Sequence, residues 1–136
     1  MRECLGIARS ELILGGQKSG KSRRAESLAA AWLAQDGAHR AVLVATAQAH
    51  DAEMRARIAR HQRERAERVP GLITLEASHE MPVAMAQAGG FETLRIVDCL
   101  TLWLTQQRMP MDDSQKNEAL ARSNRAQAAM LLQAIE

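Results

Sequence analysis

Aromatic side chains are nearly missing from this sequence of 136 residues, which has no Tyr, one Phe and two Trp. With so little to stack on bases, a single-stranded nucleic-acid binder is excluded. A surplus of one charge is missing too: the net charge is +2, too mild for a nucleic-acid partner. Cysteine is limited to Cys4 and Cys99, far apart and without metal-ligand spacing. A disulfide framework is thereby excluded, and the expected setting is the reducing cytoplasm with free thiols. No apolar run is long enough to span a bilayer, so no membrane span is expected. The opening Met1-Arg2-Glu3-Cys4-Leu5 lacks the apolar stretch of a secretory leader. Three Pro and eight Gly are too few for a collagen-like or low-complexity chain.

What is present is alanine, 25 residues of it, which favours helices packed through small side chains. The chain is 46% hydrophobic and 25% charged, the proportions of a folded globular protein. Its length matches one domain over residues 1–136, since domains run to roughly 100–200 residues.

Short apolar runs alternate with helical patterns. Glu11-Leu12-Ile13-Leu14 predicts a first strand that stops at Gly15-Gly16. Ala25, Leu28, Ala29 and Leu33 recur at helical spacing over 22–35, with Gly37 as the stop. Residues 41–45, 73–75 and 94–97 predict three further strands, the last stopped by Asp98. Helices are expected over 51–68, 81–88, 100–107 and 117–135. In the last of these, Leu120, Ala121, Ala128, Leu131 and Leu132 lie near one face. Buried strands alternating with helices predict an α/β fold, a mostly parallel sheet with helices on both faces.

The first strand leads straight into Gly15-Gly16-Gln17-Lys18-Ser19-Gly20-Lys21-Ser22, with a helix behind it. This is the phosphate-loop pattern in its strand–loop–helix setting. Gly15 and Gly20 let backbone N–H groups wrap a phosphate at a helix N-terminus. Lys21 supplies charge to the β- and γ-phosphates. Ser22 offers a hydroxyl to Mg²⁺. A nucleoside-triphosphate site follows, while the base and the chemistry stay open. Asp98, closing an apolar strand, fits the carboxylate that helps hold Mg²⁺ in such sites. It also fits a helix N-cap before Leu100.

Helix 51–68 carries Arg55, Arg57, Arg60, Arg63, Arg65 and Arg68 around one histidine, His61. Met54, Ile58 and His61 fall on one face, expected to pack toward the sheet. Flanking cations disfavour the imidazolium, and a neutral ring beside guanidinium groups can attack a phosphoryl centre. The alternative is a core-edge histidine in a solvated basic helix, which the residues alone favour. His39, His50 and His79 fall in turns and read as surface residues.

Three segments together resemble the bifunctional adenosylcobinamide kinase / adenosylcobinamide-phosphate guanylyltransferases of cobalamin biosynthesis. They are Leu12 to Arg23 with Ala25-Glu26; Val44-Ala45-Thr46-Ala47-Gln48 with Asp51, Glu53-Met54, Arg57-Ile58 and His61; and Val97-Asp98-Cys99-Leu100-Thr101-Leu102-Trp103-Leu104. The resemblance implies a RecA-like phosphate-loop fold and two activities. One phosphorylates adenosylcobinamide with GTP or ATP and Mg²⁺. The other transfers GMP from GTP to the product through a guanylylated histidine, which the match makes His61. It implies that the loop 15–22, Thr46, Ala47, Gln48, Gln62, Arg63, Glu64, Arg65, Glu76 and Asp98 surround the nucleotide. It implies Lys21 as the catalytic cation, Ser22 and Asp98 as metal ligands, and a homo-oligomer, a trimer with the site near a subunit interface.

The sequence departs from the family in places. Gln17-Lys18 replaces a frequent Ala-Arg, and Arg60 replaces a second histidine found in some members. Family members continue past the point where this sequence stops, through further strands, so a C-terminally short sheet is expected. Two other functions fit the motifs: a simple phosphate-loop kinase acting on another small alcohol, and a non-catalytic nucleotide-binding remnant.

Overall fold

A computed structural model describes residues 6–16, 19–77, 80–108, 125, 126, 128–133 and 135. Among them lies a three-stranded parallel sheet in the order β2-β1-β3, with β1 Arg40–Ala45, β2 Leu72–Glu76 and β3 Thr93–Asp98. The connecting helices are α1 Lys21–Gln35, α2 Ala52–Arg68, α3 Met81–Gln87 and α4 Leu100–Arg108. The α/β class expected from the sequence is the one observed.

Strand β1 is paired on both sides, and Ala41, Val42, Leu43 and Val44 are all buried. That is why its sequence is an unbroken apolar run and not an alternating one. Its odd positions, Ala41 and Leu43, face α1 and pack with Ala29, Val69 and Leu72. Its even positions, Val42 and Val44, face α3 and α4 and pack with Met81, Met85 and Trp103. Trp103 is 1% exposed and fixes α4 to that second face. Thus α1 covers one face of the sheet while α3 and α4 cover the other.

Helix α1 runs antiparallel to the strands. Its last turn sits at their N-terminal ends, where Trp32 Nε1 donates to the Glu92 carbonyl at 2.9 Å. Its first turn therefore lies toward the C-terminal ends of the strands. His39, expected on the surface, is instead half-buried and stacked on Trp32, with ring centroids 3.8 Å apart. Its Nδ1 lies 2.8 Å from the Trp32 carbonyl. The turn that returns α1 to β1 folds the ring back onto the helix, a contact that sequence spacing does not reveal.

Two sequence expectations need correction. Residues 11–14 form no strand here. Leu12 and Leu14 are exposed, and Glu11 pairs with Arg24 of α1 at 3.1 Å. A run of three apolar residues is short, and its flanking charge finds a partner off the sheet. The second correction concerns α2. Met54 and His61 are exposed, and no residue of α2 is fully buried. The side turned inward runs through Ile58, Gln62 and Arg65 to Val69 just beyond the helix. Residues 125, 126, 128–133 and 135 of the expected last helix are helical, and Leu131 packs against the second core. Residues 117–124 of that helix, with Leu120 and Ala121, lie outside the described residues, as does His79.

Helix α2 is held by polar contacts. Asp51 caps its start by accepting from the Met54 N–H at 2.7 Å. Arg68 in its last turn donates to both oxygens of Glu26 on α1, each at 2.8 Å. Glu26 is buried, and the Arg68 guanidinium holds its carboxyl below the ordinary carboxylate value. The pairs Arg57–Glu53 and Arg60–Glu64, at 3.9 Å on exposed surface, add about 0.3–0.5 kcal/mol each at most.

A carboxyl with a lowered native pKa stabilises above its unfolded value, about 4.3, and that contribution fades as pH falls through the native value. Glu26→Gln is expected to cost about 1–3 kcal/mol at neutral pH. In denaturant melts the gap to the parent chain should narrow toward acid. A gap that stays constant with pH removes the ion pair as its cause.

Candidate active site

The phosphate loop is shaped by two glycines. A side chain at Gly15 would collide with Ser19 Oγ and would sit 3.1 Å from Ser19 Cβ. Gly20 adopts φ +92°, a left-handed conformation that glycine enters without strain, and directly precedes α1. Lys21 folds back over the loop, donating to the Gly15 carbonyl at 2.5 Å and the Gly16 carbonyl at 3.3 Å. The ammonium is thus held against the carbonyls of its own loop. Ser19, Gly20, Lys21 and Ser22 are all exposed. Gln17 and Lys18 lie outside the described residues.

A second group gathers at the C-terminal ends of the strands, where open α/β sheets bind ligands. Ala47, Gln48, Ala49 and His50 after β1, with Glu76 and Ala77 at the end of β2, line one cleft. Gln62 of α2 reaches across to donate to Glu76 Oε1 at 2.9 Å. One turn on, Arg65 lies 3.7 Å from the Asp98 carboxylate at the end of β3. The Arg65 side chain is only 12% exposed, so its charge is largely enclosed, while Asp98 stays 42% open. Gln62, Arg65 and Arg68 thus tie α2 to β2, β3 and α1 in turn. These anchors, and not an apolar stripe, set which way α2 faces. His61, one residue before Gln62, is displayed to solvent, and so are Arg63 and Glu64.

Thr46 follows β1 directly. It is fully buried, and its hydroxyl is occupied by the backbone of Asp98 and Cys99. It lies beside the site without presenting a side chain to it. Among the described residues no hydrogen bond or ion pair joins the loop 15–22 to Asp98 or His61.

A family model described as cobinamide kinase / cobinamide phosphate guanyltransferase matches residues 11–136. The chain belongs to that family. It is also 42% identical, over 106 residues, to the bifunctional adenosylcobalamin biosynthesis protein CobP of Pseudomonas aeruginosa. That match covers 78% of this chain and 56% of the relative, so the chain spans little more than half of the relative's length.

Among the described residues no three His, Cys, Asp or Glu side chains gather into a metal cage. The donors that fit a magnesium ion are hard oxygens, the Ser22 hydroxyl and the Asp98 carboxylate. Magnesium bound to nucleotide phosphates needs only one or two protein ligands. No described helix is long and apolar enough to cross a membrane.

Sequence reading passed over Ala49, His50 and Ala77 as cleft residues. Their signal was topological: all three lie in segments that leave the C-terminal ends of parallel strands, from which ligand-binding loops arise.

Lys21→Ala removes the charge held over the loop and touches no core. It is expected to weaken triphosphate binding about 10–100-fold in calorimetry with the melting temperature unchanged, the scale of a lost charge-assisted contact. Unchanged GTP and ATP affinity would take the phosphates away from this loop.

Proposed function

We propose that this chain carries both activities of its family, as one kinase and guanylyltransferase domain over residues 1–136. It phosphorylates the aminopropanol hydroxyl of adenosylcobinamide, then transfers GMP from GTP to that phosphate to give adenosylcobinamide-GDP. The observation that supports this most is the way α2 is moored. Gln62 on Glu76 and Arg65 on Asp98 hold the His61 helix against the strand-end cleft.

In the kinase step the substrate hydroxyl oxygen attacks the γ-phosphorus of GTP or ATP, its proton passes to solvent, and the nucleoside diphosphate leaves. Lys21 exchanges its loop carbonyls for the β- and γ-oxygens and balances their charge. Gly15, Gly16, Gln17, Lys18, Ser19 and Gly20 supply the backbone around them. Ser22 and Asp98 would hold Mg²⁺, which lends charge neutralisation to the triphosphate when bound.

In the transfer step an imidazole nitrogen of His61 attacks the α-phosphorus of GTP. Pyrophosphate leaves and a phosphorus–nitrogen bond forms. A phosphate oxygen of the corrinoid then attacks the same phosphorus, and the nitrogen departs with its electron pair restored. His61 is exposed, as a residue that meets two large substrates in turn must be. Ala47, Gln48, Gln62, Arg63, Glu64, Arg65 and Glu76 belong to the nucleotide's surroundings in this reading, and Thr46 supports them from beneath. A cytoplasmic setting fits the unbridged thiol of Cys99. Exposed apolar residues at Leu12, Leu14, Ile73 and Leu75 support assembly into a homo-oligomer, a trimer in our reading.

Incubation with α-labelled GTP and Mg²⁺ tests the assignment. The chain should acquire label that is labile in acid and stable in base, as a phosphorus–nitrogen bond is. His61→Asn keeps a polar side chain of similar reach and should take up none, while phosphorylation of adenosylcobinamide continues. Label on His61→Asn, or loss of both activities with the fold intact, removes His61 from the nucleophile's role.

A further inference from the structure

Thr46 lies at the end of β1 and is 0% exposed. Its backbone N–H donates to the Asp98 carbonyl at 3.0 Å, one residue past the last rung of the β1–β3 pairing. Its Oγ1 donates to the Cys99 carbonyl at 2.8 Å, with the Asp98 carbonyl at 3.2 Å. The same oxygen accepts from the Cys99 N–H at 2.9 Å. Gln106 of α4 closes the ring by donating from Nε2 to the Thr46 carbonyl at 2.9 Å. A hydroxyl so fully engaged inside the protein has nothing left for a ligand. Whatever Thr46 does for a ligand, it does through the peptide that it grips, and that peptide follows Asp98.

We infer that Thr46 is a positioning residue that fixes the Asp98–Cys99 junction and so aims the Asp98 carboxylate. The chemistry favours this over a purely packing role. Valine has the shape of threonine and would fill the same buried space. It would leave the Cys99 N–H and carbonyl without their shared partner. The backbone must then shift to recover those bonds, and the carboxylate one residue away shifts with it. Asp98 is otherwise steered only loosely, by a guanidinium 3.7 Å away on a side that is 42% open. Gln106 extends the grip to α4, so the carboxylate is referenced to the Trp103 core and not only to the strand end. This inference rests on the reading of Asp98 as a metal ligand.

The test uses Mn²⁺ as the probe, titrated into protein loaded with a non-hydrolysable GTP analogue and read as free Mn²⁺ by electron paramagnetic resonance. Thr46→Val is expected to raise the Mn²⁺ midpoint about tenfold, the usual cost of losing a group that orients a ligand. Affinity for the analogue in EDTA should stay within about twofold, and Thr46→Ser should restore the midpoint, because it returns the hydroxyl. An unchanged midpoint in folded Thr46→Val overturns the inference. So does an equal loss of analogue affinity in EDTA, which would mean that Thr46 acts on the nucleotide itself. Should Thr46→Val not fold, Gln106→Met loosens the same ring from α4 and is expected to raise the midpoint; no rise there overturns the inference as well. Asp98→Asn separates the two levels. If it leaves the midpoint unchanged, Asp98 is no metal ligand and both readings fall. If it raises the midpoint while Thr46→Val does not, only the role of Thr46 falls.

Discussion

Parallel pairing of β1 with β3 brings Thr46 level with Asp98 and Cys99, across 52 residues of sequence. Strand β3 is paired on one side only, which by itself would leave that carboxylate on a fraying end. Here the ladder is continued past its last rung by a side chain, and α4 is bound to the same point through Gln106. The other functional groups are placed by reference to this corner. Arg65 reaches Asp98 from α2, and the cleft opens beside it at the ends of β1 and β2. Buried polar groups are costly unless satisfied, so a corner in which one hydroxyl serves both the N–H and the carbonyl of Cys99 has little freedom to drift.

The helix that carries His61 is built on a different principle. Helices α1, α3 and α4 each insert fully buried side chains into a core. Helix α2 inserts none, and its orientation comes from three polar anchors spaced three residues apart. The two kinds of attachment respond to different conditions. Apolar packing has no charge to screen or titrate, whereas charged anchors weaken when screened or protonated. The nucleophile of our proposal thus stands on the part of the structure most responsive to charge, and a triphosphate is a charged ligand. Arg65 is shared between these concerns, since it neutralises Asp98 in the absence of other cations.

Much of the fold was legible because its signals are local. The runs at 41–45, 73–75 and 94–97 became β1, β2 and β3 within a residue or two, and only the first, unbroken and apolar, is covered on both faces. The run at 11–14 carries the same kind of signal and formed no strand. His39 escaped notice because its partner, Trp32, lies across a turn at a spacing that belongs to no regular element.

By itself the sequence determined the phosphate loop, down to the glycine whose left-handed backbone starts the helix, because backbone shape and charge spacing there are written in consecutive residues. It determined the class of fold and, through three matching segments, the family. Tertiary structure alone decided which face of α2 turns inward, because a helix rich in arginine has no apolar stripe to choose a face and takes its direction from partners on β2, β3 and α1. It alone decided that Thr46 is buried, with its hydroxyl on the backbone of Cys99. A threonine reads the same in sequence whether its hydroxyl meets a ligand or a backbone, and only the neighbouring strand end, brought alongside by parallel pairing, consumes that hydroxyl.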